Sequence, residues 1–283
     1  MQQEPNTLSI EKDAGAKQQL GLIRVIESTL SSGLNDTIAT LQLVMHDAKL
    51  EPELFDDVYR AELGCRSTRA KISALVELYG GEDAASALRI ASYDVVQFFT
   101  VVAEQMNKAL GHKLKGDITF IPDNNTERTV SFDARRVCMI LYHLVANAIQ
   151  HGVTENKNVE IRALVRNRMF ELSVHDHGGG IPKEKTAKLF QGFMDSISLQ
   201  SLAAGPFPPR IRGIGLPLCQ KLVQEMDGEI KFRNYRKGAT FTVLLPQRDS
   251  HFRETSVYIP DDTLLKECMA DLLAELGTKS CRK

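Results

Sequence analysis

Apolar residues in the first part of the chain recur every three or four positions, the spacing of one helix face. From about Lys17 to Leu50 this face consists of Leu20, Ile23, Ile26, Leu30, Leu34, Ile38, Leu41, Val44 and Met45. Pro52 interrupts the pattern, and a second helical segment runs from about Glu53 to Tyr79, where Gly80-Gly81 ends it. The short turn between the two segments predicts an antiparallel helical hairpin over residues 17–81.

This hairpin would leave a long apolar stripe in water if it stood alone. Dimerisation into a four-helix bundle is the usual way to cover such a stripe, so we predict a homodimer formed through residues 17–79. Residues 1–16 are polar and contain Pro5 and Gly15, and we expect them to fray as a flexible N-terminus.

Shorter alternating segments follow the hairpin. The pattern predicts helices at about 92–110, 134–151, 183–190 and 214–226, and strands at 117–122, 128–132, 158–165, 168–174, 229–234 and 239–246. Asp133 is well placed as an N-cap for the helix that begins at Ala134. The order predicts an α+β domain over residues 92–248, with a mixed sheet covered by helices. The extension at 249–283 contains one more predicted helix, Asp262 to Leu276.

Composition narrows the possible partners and the compartment. The 283 residues are 43% hydrophobic and 25% charged, with a net charge of −1, so bulk charge does not attract nucleic acid or membrane. The N-terminus lacks signal-peptide features, and no apolar run reaches the length of a bilayer span, so we expect a cytoplasmic protein. The cysteines form no CxxC pair and are expected to be reduced. They are Cys65, Cys138, Cys219, Cys268 and Cys281.

The stretch VHDHGGGIP places Asp176 directly before three glycines and a proline. Glycine is used where the backbone turns sharply or must be approached closely. One interpretation is an ordinary hairpin turn after the strand FELSV. The other is a ligand-binding edge, where Asp176 accepts a hydrogen bond and the bare backbone admits a flat group.

The predicted helix LYHLVANAIQHG carries His143, Asn147 and His151 at intervals of four, which places them on one face. A buried asparagine in an apolar helix needs a partner for its amide. Asn147 is therefore either a satisfied core residue or an oxygen ligand to Mg²⁺, which takes few protein oxygens and keeps water and phosphate oxygens.

The stretch RGIGLPLCQKLV places Gly213 and Gly215 at the start of a helix. Backbone N–H groups at the positive end of a helix can bind phosphate, and Arg210 and Arg212 just before it would add charge. The alternative is a flexible helix entry, since a lone GxG is a weak signal.

The order of these pieces resembles the GHKL ATP-binding superfamily, and within it the sensor histidine kinases. The resemblance covers residues 95–246. It rests on Asn147 in the N-box, DHGGGIP in the first glycine box, LFQGFM in the F-box, RGIGL in the second glycine box and GATFTVLLP in the final hairpin. It implies a Bergerat-type α/β sandwich that binds ATP. The preceding hairpin looks like the dimerisation and phosphotransfer module of the same family.

The resemblance also implies roles for individual residues. Asp176 would accept from the adenine amino group, and Gly178 and Gly180 would let the base and ribose lie against the backbone. Asn147 would hold Mg²⁺ on the phosphates. The phosphates would be wrapped under a lid, residues 191–212. The remaining predicted nucleotide-binding residues are His151, Arg212, Gly213, Ile214, Gly215 and Leu216.

The hairpin departs from the family pattern at the phosphoacceptor. Aligning LSSGLNDTIATL with the acceptor motif places Ser32 at the histidine position and Gly33 at its acidic neighbour. A serine hydroxyl has no ring nitrogen and cannot form a phosphoramidate. His46, followed by Asp47, is the one histidine of the hairpin, near its end. It is either an atypical acceptor or a surface residue near a helix C-terminus, where a positive charge is stabilising. Its position near the end of the hairpin favours the surface residue.

The N-box departs as well. His143 stands where kinases usually carry a first asparagine, and Gln150 stands where a basic residue is common. ATPase relatives carry a glutamate four positions before the asparagine to activate water. His143 is therefore a candidate base. A histidine at this single position is weak evidence for ATP hydrolysis.

Three functional hypotheses remain at this stage. The first is a histidine kinase-like two-component signalling protein that binds Mg-ATP and has an atypical or absent acceptor. The second is a non-catalytic dimeric adaptor that docks a response-regulator receiver or a partner kinase. The third is a serine kinase of the anti-sigma type, against which the long hairpin argues.

Overall fold

The structure is a computed structural model that describes residues 7–47, 50–79, 87–111, 116–123, 128–151, 158–187, 189–190, 213–235, 238–248 and 262–278. Its helices are α1 (Thr7–Met45), α2 (Pro52–Tyr79), α3 (Val95–Leu110), α4 (Ala134–His151), α5 (Lys183–Thr186), α6 (Gly215–Glu225), α7 (Asp262–Cys268) and α8 (Ala270–Thr278). Its strands are β1 (Ile90–Asp94), β2 (Ile118–Pro122), β3 (Thr129–Asp133), β4 (Val159–Arg166), β5 (Met169–Asp176), β6 (Glu229–Tyr235) and β7 (Gly238–Pro246).

Helices α1 and α2 form the predicted hairpin. Gln42 donates to Glu62 at 3.2 Å, and farther along the pair Arg69 hydrogen-bonds Asn35. Contacts nearer the turn join residues closer in sequence, so the helices run antiparallel. Glu62 also forms a buried ion pair with Arg66 at 2.7 Å, which gives the arginine a partner inside the hairpin.

Helix α1 begins at Thr7 rather than near Lys17, so residues 7–16, which we expected to fray, are helical. This segment contains good helix formers, and Gly15 alone costs only about 1 kcal/mol relative to alanine. The apolar pattern therefore marks where α1 meets α2 and not where the helix starts.

The predicted mixed sheet is present, with five strands in the order β2-β4-β5-β7-β6. Strands β2 and β4 are parallel and the other neighbours are antiparallel. A separate two-stranded antiparallel ribbon joins β1 to β3. Alternate residues of β5 are buried, namely Phe170, Leu172 and Val174, so one face of the sheet is packed against the core.

Helices α3, α4 and α6 contact this sheet and share its core with the ribbon. Four phenylalanine rings lie at the centre. The Phe132 centroid is 5.3 Å from that of Phe170 and 5.0 Å from that of Phe98, and Phe99 lies 6.0 Å from Phe170. These rings join β3, β5 and α3, and they pack against the strand β5 whose end carries the candidate site.

The segment predicted as a helix from about Ser92 divides into a strand and a helix. Residues 90–94 form β1, and α3 begins at Val95. Asp94 caps this helix by accepting a hydrogen bond from the Gln97 N–H at 3.0 Å. Asp94 is therefore both the last residue of β1 and the N-cap of α3. At Asp133, the cap predicted from the sequence, the side chain accepts from the Arg136 N–H at 3.1 Å, as expected.

The C-terminal extension contains two short helices where one was predicted. Helices α7 and α8 are separated at Met269, and both contact α2 and α4. Polar contacts with α2 include those of Ser67 and Lys71 with Asp271, at 2.6 and 2.8 Å, and the pair between Arg69 and Glu267. The extension thus joins the hairpin to the sheet domain. Its buried side chains are Leu264, Leu265, Met269, Ala270, Leu272, Leu273 and Leu276.

Two further expectations concern membrane spans and thiols. Within the described part of the chain, no helix has the length and apolar character needed to cross a membrane. Cys65, Cys138, Cys219 and Cys268 are reduced, and burial raises the pKa of the Cys138 and Cys219 thiols. Cys281 lies outside the described residues.

Candidate functional site

Strand β5 ends at Asp176, and the chain turns immediately afterwards. The Asp176 carboxylate accepts a hydrogen bond from the Gly178 N–H through Oδ1, at 2.8 Å. This local bond fixes the carboxylate at the end of β5, the central strand of the sheet. The second oxygen, Oδ2, takes no part in that bond. A carboxylate held in this way can accept from an amino group on a ligand.

Two glycines let other backbone segments approach this turn. Gly238, with φ of +112°, begins β7, and a Cβ there would lie 1.8 Å from the Asp176 carbonyl oxygen. Gly180, with φ of +75°, lies where a Cβ would come within 3.3 Å of Asn234 Oδ1. Any side chain at Gly238 would displace the backbone that carries the acid. Glycine at positions 180 and 238 therefore allows neighbouring segments to pack closely beside Asp176.

Asn234 of β6 holds the far end of the same turn. Its Oδ1 accepts from the Ile181 N–H at 2.9 Å, and its Nδ2 donates to the Ile181 carbonyl oxygen at 2.7 Å. The turn from Asp176 to Ile181, called the glycine turn below, is thus bonded at both ends. The hydrogen bond at its start, between Asp176 and Gly178, lies within the turn. The two hydrogen bonds at its end, at Ile181, come from Asn234 of β6.

Helix α4 carries the predicted N-box face. Asn147 is half-buried on this helix, and His151 is its last residue. Helix α4 contacts both β5 and α6, so it lies between the elements that carry the two glycine boxes. The half-buried amide of Asn147 is consistent with either interpretation given above, a core residue or a metal ligand.

His143 packs one turn before Asn147 against the start of α6. A Cβ on Gly215 would lie 3.3 Å from the His143 Nδ1, which is closer than ordinary van der Waals contact, so the absence of a side chain eases the close approach of the two helices. Burial lowers the pKa of His143 to about 4, while Asp271 of α8 acts in the opposite direction. The imidazole is therefore neutral at pH 7. A base with so low a pKa is poorly matched to neutral pH, so this contact favours a packing role.

The start of α6 is built from the second glycine box. Gly213 has φ of +86°, and Ile214, at the N-cap position, is buried and has no side chain that caps the helix. Leu216 packs against the core and anchors the first turn. The first N–H groups of α6 therefore have no side-chain cap at the N-cap position, which is the arrangement expected of an anion-binding helix terminus.

Several predicted residues lie away from this site or outside the described chain. His46 is exposed and follows the last residue of α1, and Ser32 and Gly33 are exposed in the interior of that helix. Arg212 and the predicted lid, 191–212, fall outside the described residues. Of the F-box, the Phe190 ring lies 6.5 Å from the Phe241 ring of β7.

Sequence reasoning missed Asn234 and the role of Gly238. Asparagine is uncommon inside strands, so its occurrence in the strand EIKFRN is a signal for a specific side-chain contact. Gly238, in contrast, is indistinguishable in sequence from an ordinary hairpin glycine. Its close approach to Asp176 depends on the β5–β7 pairing, which the local sequence does not encode.

Comparison with known proteins agrees with this architecture. Residues 132–249 match the family described as histidine kinase-, DNA gyrase B-, and HSP90-like ATPase. The chain is 29% identical over 206 residues to the signal transduction histidine-protein kinase BarA of Escherichia coli (strain K12). That match covers 66% of this chain and 21% of BarA, so the chain spans about a fifth of the length of this relative.

Two solved structures share the fold. Full-length ShkA in complex with AMPPNP superposes with a TM-score of 0.62 at 19% identity, covering 81% of this chain and 46% of ShkA. Histidine kinase ThkA in complex with the response regulator protein TrrA gives a TM-score of 0.50 at 19% identity, covering 87% of this chain and 68% of that one. At these identities the likeness concerns the fold.

The glycine turn after β5, the N-box helix and the uncapped start of α6 therefore lie within the region that matches the histidine kinase-, DNA gyrase B-, and HSP90-like ATPase family. The chain is homologous to sensor histidine kinases such as BarA.

Proposed function

We propose that this protein is a histidine kinase-like two-component signalling protein that binds Mg-ATP, with an atypical or absent phosphoacceptor. The observation that carries the proposal is the fixed carboxylate of Asp176. Its Oδ1 is held by the Gly178 N–H at 2.8 Å, which leaves Oδ2 to accept from the adenine amino group. Adenine presents a donor there, and an ionised carboxylate is purely an acceptor.

The glycines on either side would receive the rest of the nucleotide. Gly178 and Gly180 would let the base and ribose lie against bare backbone. The N–H groups at the start of α6, from Gly213 to Leu216, would bind phosphate oxygens, because the helix end carries partial positive charge and lacks a side-chain cap. Arg212 would add a positive charge to the same group, and His151 would lie at the end of the N-box face.

Asn147 would hold Mg²⁺ through its side-chain oxygen. Magnesium keeps several waters and is usually bound by one or two protein oxygens together with substrate phosphates, so a single half-buried amide fits this ion. When bound, the ion neutralises phosphate charge. Asn147 itself would orient the phosphate group relative to α6.

Calorimetric titration with Mg-ATP tests this proposal. Wild type should bind, and Asp176→Asn should weaken binding at least tenfold, because an amide replaces one acceptor oxygen with a donor. Asp227→Asn is the matched control, since Asp227 is exposed and precedes β6 at the end of the strand far from Asn234. Equal affinity for wild type and Asp176→Asn, or no binding at millimolar ATP, would contradict the proposal.

The fate of the phosphate is a separate question. Ser32 is exposed where the family carries its acceptor histidine, and exposed His46 sits beyond the end of α1. Incubation with γ-labelled ATP, with and without His46→Gln, would show whether this protein labels itself. Acid-labile label lost in His46→Gln would identify a phosphoramidate on that residue. Label retained in the variant would remove His46 as acceptor.

We also propose that the hairpin forms a homodimer through residues 17–79. Large apolar side chains on α1 are exposed, with Val25 at 63% and Leu43 at 74% of their surface accessible. A second copy would cover this stripe in a four-helix bundle. Sedimentation equilibrium should give a dimer for wild type and a monomer for Leu43→Glu. A wild-type monomer at all concentrations would contradict the dimer.

A second candidate function is a non-catalytic adaptor that docks a response-regulator receiver or a partner kinase. Ser32 favours it, because a hairpin without an acceptor histidine could keep its docking surface and lose phosphotransfer. The fold shared with ThkA in its complex with TrrA is consistent with such docking. This candidate predicts receiver binding by the hairpin that is unaffected by Asp176→Asn.

A further inference from the structure

The side-chain amide of Asn234 forms two hydrogen bonds with the backbone of Ile181, one with its N–H and one with its carbonyl oxygen. The side chain accepts from the Ile181 N–H at 2.9 Å and donates to the Ile181 carbonyl oxygen at 2.7 Å. The amide thus makes the two bonds that a neighbouring strand would make with a single residue. Among side chains short enough to fit here, asparagine alone both donates and accepts with this geometry.

The position of this pair gives it a consequence for the candidate site. Ile181 directly follows Gly180, which has φ of +75° and could leave that conformation easily because it has no side chain. Asn234 Oδ1 also lies where a Gly180 Cβ would approach within 3.3 Å. The asparagine therefore restrains the residue that follows Gly180 and lies beside that glycine.

The same hairpin supports both ends of the turn. Tyr235, which follows Asn234, pairs with Gly238, and Gly238 passes close to the Asp176 carbonyl oxygen. The strands β6 and β7 thus contact the start of the glycine turn through backbone and its end through the Asn234 amide. A displacement of this hairpin would move both Asp176 and Ile181.

We infer that Asn234 is a positioning residue for nucleotide binding, holding the glycine turn in the conformation that receives the base and ribose. The inference rests on the proposed function, because it assigns the turn to a nucleotide. Asn234 need not touch the nucleotide. It acts by keeping the backbone from Gly178 to Ile181 ordered before binding, which removes part of the ordering cost from the binding step.

Two substitutions at Asn234 test the inference in the 283-residue chain by Mg-ATP calorimetry. Asn234→Asp keeps the shape of the side chain but loses the donor and directs a carboxylate at the Ile181 carbonyl oxygen, and Asn234→Ala removes both bonds. Both should weaken Mg-ATP binding roughly tenfold, with a thermal midpoint close to that of wild type. Asn167→Asp, in the exposed turn between β4 and β5, is the matched control and should bind as wild type does.

Hydrogen exchange at the Ile181 amide provides a readout that needs no nucleotide. Both Asn234 variants should exchange this proton faster than wild type, while the control should not. Wild-type affinity in Asn234→Asp would overturn the positioning role and leave the nucleotide site intact. Failure of wild type itself to bind Mg-ATP would overturn the proposed function and this inference together, and the two failures are therefore distinguishable.

Discussion

The hairpin and the sheet domain place their large apolar side chains differently. In the sheet domain most of these side chains are buried, including the rings of Phe99, Phe132 and Phe170, which are at most 2% exposed. In the hairpin, Ile38, Leu63 and Ala74 are the buried apolar residues among those described. The exposed large apolar residues of the described chain are Val25, Ile26, Leu30, Leu43, Val44, Leu54, Phe55 and, outside the hairpin, Tyr235.

This difference separates two sources of stability. The sheet domain contains its own core, so its candidate site can be ordered within a single copy. Two helices cannot enclose a comparable core, and a stripe of this size usually marks an interface. Substitutions of similar chemistry should therefore have different consequences in the two regions.

The largest effect should come from removing a ring from the sheet core. Phe132→Ala deletes a side chain that lies within 5.3 Å of the Phe98 and Phe170 centroids. We expect a loss of about 3–5 kcal/mol in the free energy of unfolding, measured by urea denaturation. Tyr235→Ala, at an exposed aromatic position, is the control. A cost below about 1 kcal/mol for Phe132→Ala would mean that the core can collapse around the cavity.

A smaller effect is expected where backbone segments meet beside the site. Gly238→Ala would place a methyl group against the Asp176 carbonyl oxygen at a φ of +112°. We expect a loss of about 1–3 kcal/mol in unfolding free energy, together with weaker Mg-ATP binding. Gly64→Ala in α2 is the opposite case, because nothing lies within 4 Å of a Cβ there. It should stabilise the protein by about 0.5–1 kcal/mol.

The contact between α4 and α6 predicts a pH dependence. The pKa of His143 in the folded protein is about 4, below the ordinary value of about 6.5, so the unfolded chain binds more protons between these values. The stability that the neutral ring provides is complete above pH 6.5 and is lost as the pH falls towards 4. From pH 7 to 5, wild type should lose about 1–2 kcal/mol more than His143→Asn in urea denaturation. Parallel losses would show that another group titrates.

The smallest effect on folding should come from the exposed stripe. Leu43 is 74% exposed, so Leu43→Glu should change the unfolding free energy of the sheet domain by no more than about 0.5 kcal/mol. Dimer dissociation without such a change would sharpen the contrast between the two regions. A large loss of sheet-domain stability would show that the regions fold as one unit.

Features encoded by neighbouring residues were predictable from sequence. The Asp133 cap, the mixed sheet and the turn after Asp176 depend on short-range patterns, and the structure contains all three. The start of α3 was misplaced although a local signal exists. Asp94 followed three positions later by Gln97 is a capping-box spacing, and it marks the true boundary at Val95.

Features that join distant segments were not predictable in the same way. The hydrogen bond between Ser67 and Asp271 spans 204 positions, and nothing in either segment specifies the other. The Asn234 pair with Ile181 likewise depends on how β6 is placed relative to the turn after β5. Packing determined these contacts, whereas local propensity determined the helices and strands that carry them.

The α7–α8 pair has a consequence for the order in which contacts form during synthesis. It leaves the ribosome after the hairpin and the sheet domain, yet its apolar residues pack between them. Domains fold largely in the order of their emergence. The contacts that Ser67 and its neighbours on α2 make with Asp271 can therefore form only after residues 262–278 have been made.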